Sequence, residues 1–104
     1  MKRGEIWWAD LPPPVGSRPV IILTRDAVLH SIQGVVVGLV TRTVRGVPTE
    51  VELGRRQGLS VRCVVNLDNI LTVPRPRLVR RMGACDALKI EEVNQAIKTS
   101  LEIP

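Results

Sequence analysis

The stretch GEIWWADLPPPVGSRPVIIL, residues 4–23, decides the fold. Two short apolar runs flank a loop that can be neither helix nor central strand. Glu5–Leu11 alternates, with Ile6 and Trp8 on one face and Glu5, Trp7 and Ala9 on the other, which predicts a strand. Pro12-Pro13-Pro14 fixes φ and removes three backbone donors, so the chain must leave the sheet there. Gly16 restores freedom before Ser17. Pro19 holds Arg18 extended, and Val20–Thr24 reads as a buried strand. Arg18 therefore stands where a stiff loop enters a strand.

Working outward, Asp26–Ser31 is a connector with room for one helical turn. Gln33–Arg42 is a longer strand, too apolar for an open edge. Val35, Val37, Leu39 and Thr41 share one of its faces, and Val36, Gly38, Val40 and Arg42 the other. Val44–Pro48 is a basic loop. Thr49–Leu53 alternates, with Val51 and Leu53 inward and Glu50 and Glu52 outward. Gly54–Ser60 is a loop carrying Arg55 and Arg56. Val61–Leu67 and Ile70–Val73 read as strands around a polar corner at Asp68-Asn69, and Arg77–Ala84 as one more short strand. Ile90, Val93, Ile97 and Leu101 form a helical stripe, and Glu91 and Glu92 suit the positive end of that helix. With no linker or repeat, residues 1–104 read as one mainly β domain. It is a small, strongly curved antiparallel sheet or barrel with a C-terminal α-helix.

The chain of 104 residues has 15 Lys+Arg against 10 Asp+Glu, a net charge of +5. That excess suits a polyanion partner without requiring one. Trp7 and Trp8 are the only aromatic residues, too few for a surface that stacks many bases. Cys63, Cys85 and the single His30 are too few and too scattered for a zinc site. The cysteines read as small buried apolar residues. Val35–Val40 is far too short to span a bilayer. Met1-Lys2-Arg3 runs straight into a strand without a secretory pattern. A cytoplasmic protein with reduced thiols is the expectation. A Gly-rich phosphate loop, an acidic metal cluster and a Gly-x-Ser-x-Gly elbow are all missing, so no metal or cofactor is expected.

Two readings stand beside each candidate residue. Arg18 is either solvated or paired with a carboxylate, or it is a phosphate clamp, since guanidinium binds two oxygens at once. Thr41 is either a β-branched strand residue or a hydroxyl donor to a phosphate oxygen. Asp68-Asn69 is either turn chemistry or a pair that reads unstacked base edges. Trp7 faces outward if Trp8 faces inward, toward a base or a second subunit. His30 has no partner for acid–base work and reads as a loop residue.

The order RGEIWWADLPPPVGSRPVIIL, GLVTRT before Pro-Thr, NLDNILTV and a closing helix resembles the MazF/PemK family of toxin ribonucleases. The likeness covers nearly the whole chain. It implies an SH3-like barrel that dimerises, cleaves single-stranded RNA without metal and is neutralised by an acidic antitoxin. By position it places the catalytic pair on Arg18 and Thr41. It places RNA contacts on Ser17, Arg42, Thr43, Pro48, Thr49, Asp68 and Asn69. The family usually carries several residues, often including Glu, Gln and Gly, between Gly-Ser and Arg-Pro. Here Ser17 abuts Arg18, so the loop before the arginine is short. The same barrel also occurs in CcdB-like toxins that bind gyrase without cleaving anything. A nucleic-acid-binding barrel without catalysis is a third reading of the charge and fold.

Overall fold

The computed structural model describes all 104 residues. Six strands, β1 (Glu5–Ala9), β2 (Arg18–Ile22), β3 (Gly34–Thr41), β4 (Glu50–Leu53), β5 (Cys63–Pro74) and β6 (Leu78–Ala84), form one sheet ordered β4-β5-β3-β2-β1-β6. Every neighbouring pair is antiparallel. Helix α1 (Asp26–Leu29) links β2 to β3, and α2 (Ala87–Leu101) closes the chain. The mainly β architecture with a C-terminal helix agrees with the sequence expectation.

Alternation sends side chains into two cores, one on each face of the curved sheet. Ile6, Ile21, Val40, Val51, Leu53 and Val65 pack under α2 with its Val93 and Ala96. Ala9, Val20, Ile22, Val35, Val37 and Val73 pack on the other face with Leu29 of α1. Both faces are covered, so β2 and β3 read as near-continuous apolar runs. Trp7 lies half-buried against the second core, and its indole N–H donates to Glu5 Oε1 at 3.0 Å. It is therefore a packing residue, held in place by its one polar atom.

Two local expectations need correction. The corner at Asp68-Asn69 does not divide two strands, because β5 runs unbroken from Cys63 to Pro74. Pairing with β3 jumps from Gly38↔Ile70 to Leu39↔Asn66, so Leu67, Asp68 and Asn69 bulge out of the ladder. A bulge absorbs the extra residues and bends the strand while pairing continues on both sides. The helical stripe also ends early. Val93 and Ala96 are buried, but Leu101 is 53% exposed. The 3.6-residue period brings Ser100 to the sheet instead, where its hydroxyl donates to Asp68 at 2.8 Å. At the other end, Asp86 caps α2 by accepting from Lys89 N at 2.9 Å. Glu91 and Glu92 thus fall in the second turn, beyond the strongest part of the helix dipole.

The two sheet edges meet through the loop after β4. Its 3₁₀ turn, Arg55–Gln57, brings Gly58 against the backbone of Met82 and Gly83 in β6. Gly58 has φ +89°, and a Cβ there would overlap the Met82 carbonyl. A Cβ on Gly83 would overlap the Gln57 carbonyl in the same way. The side chain of Gln57 is buried and accepts from Gly54 N at 2.8 Å, which locks the turn. Gly83→Ala must push backbone from backbone at this seam. It should destabilise the fold by about 3 kcal/mol, read as a lowered denaturation midpoint with an unchanged m-value.

Candidate active site

β2 begins at Arg18 and β3 ends at Thr41. Their register pairs Val20 with Leu39; carried one pleat further, it sets Arg18 opposite Thr41. Two clefts open at this end of the sheet. One, of about 360 Å³, is lined by Trp8, Ser17, Arg18, Thr41, Arg42 and Ser60 over a floor that includes Cys63 and Met82. The other, of about 210 Å³, is lined by Arg18, Leu39, Thr41, Thr43, Arg45, Asn66 and Asn69. Arg18 and Thr41 are the only residues common to both. They form the saddle between the clefts.

Arg18 matches neither bland expectation, since it is half-buried and no carboxylate pairs with it. Its Nη2 donates to the Val15 carbonyl at 2.5 Å. Its Nε is fully buried and donates to nothing. An orphaned buried donor costs roughly 1–3 kcal/mol, so the fold holds a charged, under-satisfied group at the saddle. The short loop explains how this is done. Gly16, at φ +76°, turns the chain and its N–H closes on Pro12 O at 3.1 Å. The carbonyl of Val15 is thereby carried back over the guanidinium. Thr41 Oγ1 accepts from Thr43 N at 3.1 Å, which leaves the hydroxyl hydrogen free to donate into the clefts.

The other expected site residues divide. Ser17 lines the larger cleft, but its hydroxyl hydrogen is spent on Asp10 Oδ1 at 3.0 Å. Arg42 lines the larger cleft, while Thr43 and Asn69 line the smaller one. Asp68, Pro48 and Thr49 lie elsewhere. The bulge turns Asp68 away from Asn69, and its carboxylate accepts from Thr49 Oγ1 at 2.7 Å and Ser100 Oγ at 2.8 Å. Those two hydrogen bonds hold its carboxyl below the ordinary range. Thr49 is buried, and Pro48 borders a separate groove between β4 and α2.

Several cleft residues carried no earlier assignment. Trp8, not Trp7, is the indole in the cleft. Arg45 and Asn66 line the smaller cleft. Asn66 is the lone polar residue in the apolar run Cys63–Leu67, and that break in pattern was its one visible signal. Burial pushes the Cys63 thiol up and the Cys85 thiol up to about 11. Neutral thiols are poor nucleophiles, so neither cysteine competes with the saddle for chemistry. No three His, Cys, Asp or Glu side chains gather into a ligand set. The two clefts contain no carboxylate and no imidazole in their linings. What they offer is guanidinium, hydroxyl and amide donors.

A model of the PemK-like, MazF-like toxins of type II toxin–antitoxin systems matches residues 2–101. The chain belongs to this family. Among curated relatives, the probable endoribonuclease MazF2 of Mycobacterium tuberculosis is 43% identical over 101 residues, covering 96% of this chain and 97% of the relative. The endoribonuclease EndoA of Bacillus subtilis is 30% identical, over 99% of this chain and 96% of its own. Of the solved structures, the Mycobacterium tuberculosis toxin MazF-mt6 superposes with a TM-score of 0.90 at 35% identity, covering 96% of this chain and 98% of the toxin. A mycobacterial endoribonuclease in complex with its cognate antitoxin superposes at 0.89 and 30% identity, over 100% and 97% of the two chains. The sequence resemblance to MazF/PemK toxins and the SH3-like barrel it implied are thus correct. The chain is a MazF-family toxin, and no helix in it is long and apolar enough to cross a membrane.

Proposed function

We propose that this MazF-family toxin cleaves single-stranded RNA at the saddle, using the substrate's own 2′-OH as nucleophile. The observation that carries the reading is the Arg18 guanidinium, which lines both clefts without a carboxylate partner, beside the free hydroxyl hydrogen of Thr41. A phosphate lying across the saddle meets the charge of the guanidinium and accepts from the Thr41 hydroxyl, with one neighbouring nucleotide in each cleft.

The 2′-oxygen forms a bond to phosphorus and the 5′-oxygen of the next nucleotide leaves. The products are a 2′,3′-cyclic phosphate and a 5′-OH end. The 2′-OH gives up its proton to solvent and the departing 5′-oxygen gains one, so the step balances without a second reactant. A guanidinium does not surrender its proton in a protein. Arg18 therefore acts through charge, stabilising the phosphorane oxygens, and Thr41 adds one hydrogen bond. Trp8 supports a base or ribose on the larger side, and Arg42 and Arg45 contribute positive field along the path.

RNA passing over a saddle must be single-stranded, since each cleft receives its nucleotide from a different side. A basic toxin of net charge +5 suits an acidic antitoxin that blocks the same surface. The exposed Val44, Val47 and Val79 leave apolar area for a homodimer. An RNA substrate and two buried free thiols support a cytoplasmic location. The gyrase-binding alternative has no use for an orphaned guanidinium beside a hydroxyl donor.

The test is cleavage of a long single-stranded RNA in excess EDTA by wild type and by Thr41→Val. Wild type should cut with the chelator present. Thr41→Val keeps the strand shape and loses one hydrogen bond to a charged group, so its rate should fall by about 10–100-fold. A wild-type protein that folds and binds RNA but leaves it intact would decide for the non-cleaving barrel.

A further inference from the structure

We propose that Asn66 is a base-reading residue, and that the smaller cleft selects a base bearing a carbonyl oxygen at one position next to the cut. This rests on the reading of the saddle as the place where the phosphate sits.

The β5 bulge creates the arrangement. In a regular strand, residues three apart face opposite sides. The register break at Gly38/Leu39 cancels that alternation, so Asn66 and Asn69 line the same cleft. Asn66 is 7% exposed. Its Oδ1 accepts from Asp68 N at 2.9 Å. Only the amide oxygen can accept that bond, so the NH₂ is the end left over. It donates to no protein atom and is not sealed in; the cleft is the space it borders. A buried side chain with an unused two-hydrogen donor, fixed in direction by its own backbone, is a built recognition element.

The rest of the lining agrees in sign. The Arg45 guanidinium makes no ion pair, and Arg18 and Thr41 also present hydrogens. Leu39 supplies the one apolar contact, and Thr43 and Asn69 add a hydroxyl and an amide able to donate or accept. The volume of about 210 Å³ suits one base. A pocket so rich in donors rewards an exocyclic carbonyl, which uracil, cytosine and guanine carry and adenine lacks. Adenine offers only ring nitrogens as acceptors, set back in the ring, and on the two edges that carry its amino group that donor would crowd the Asn66 NH₂. Asp68 is a positioning residue: Thr49 and Ser100 anchor its carboxylate, and its N–H then orients the Asn66 amide.

The test uses Asn66→Asp, which keeps the oxygen that accepts from Asp68 N and replaces the NH₂ with an acceptor. Fluorescence anisotropy would measure binding of hexamers of 2′-deoxyuridine and 2′-deoxyadenosine, neither of which can be cut by 2′-OH attack. Wild type should favour the uridine hexamer, and Asn66→Asp should lower the uridine-to-adenosine ratio by about tenfold or more. A randomised RNA, sequenced at its new 5′ ends, should show the variant changing preference at one position beside the cut. No uridine preference in wild type, an unchanged ratio in the variant, or an equal loss for both hexamers overturns the proposal. A ratio that shifts as expected while wild type cuts no RNA leaves Asn66 as a base reader and removes the catalytic reading of the saddle instead.

Discussion

Arg18→Met is expected to slow RNA cleavage by about 10²–10³-fold without lowering the melting temperature. The two halves of this result have one cause. The guanidinium is the fixed charge at the saddle, and a methionine of similar length cannot replace it. Yet the same group weighs on the fold, because its Nε is buried without a partner. The Val15 carbonyl satisfies one nitrogen at 2.5 Å, and no carboxylate offsets the charge. Methionine fills the space and removes the orphaned donor. Its net effect on stability should be zero or favourable, the usual signature of a residue kept for function. A folded Arg18→Met protein with near wild-type cleavage would remove Arg18 from the chemistry. A large drop in melting temperature would show instead that the arginine is a structural tie for the loop. Single-turnover rates and thermal denaturation on the same preparation separate these outcomes.

Much of the fold was legible because alternation and punctuation agreed along the chain. The prolines at 12–14 and the Arg18-Pro19 step marked the loop and the strand that follows it. Val51 and Leu53 went inward as their pattern required. Strand ends shifted by a few residues, as at Glu5–Ala9 against the expected Glu5–Leu11. The β5 bulge was hidden because Asp-Asn carries the same signal in a turn and in a bulge. Only the long partner β3 shows which one it is. The seam at Gly58 and Gly83 was equally silent, since a glycine chosen for close approach looks like any other glycine.

The site was legible in its centre and not at its edges. Arg18 and Thr41 stood out by position, and antiparallel pairing brings them together. The residues around them depend on which way a side chain turns at an irregular point. Asp68 and Asn69 are adjacent in sequence, yet the bulge gives one to a hydrogen-bonded tie and the other to the cleft. Pro48-Thr49 looked like part of the same region and lies beyond it. Trp7 and Trp8 exchanged expected roles because the strand's inward face runs out into the cleft at Trp8. The loop before Arg18 turns at Gly16 and so carries Val15 back over the guanidinium.

Replacing the attacked nucleotide with its 2′-deoxy form is expected to abolish cleavage at that bond, by at least about 10⁵-fold, and to leave neighbouring sites unaffected. That figure is the lower range of effective molarity for a well-placed intramolecular nucleophile. The argument lies in the cleft linings, where no carboxylate or imidazole stands ready to activate an outside water molecule. The carboxylates bordering the linings are engaged elsewhere: Asp10 with Ser17, Asp68 with Thr49 and Ser100, and Glu50 with the backbone N–H groups of Arg45 and Gly46. Guanidinium and amide groups stabilise charge on oxygen, and with no base beside it the Thr41 hydroxyl is not activated as a nucleophile. The substrate must bring its own, and the 2′-OH is already positioned beside the phosphorus. Cleavage of an RNA carrying one deoxynucleotide, followed by end-group analysis, decides the matter. A cut at the deoxy position would require water as the nucleophile and a base that Arg18 and Thr41 do not provide. Silence at that position, with a cyclic phosphate and a 5′-OH at every other cut, follows directly from a saddle that stabilises a transition state and contributes no attacking atom.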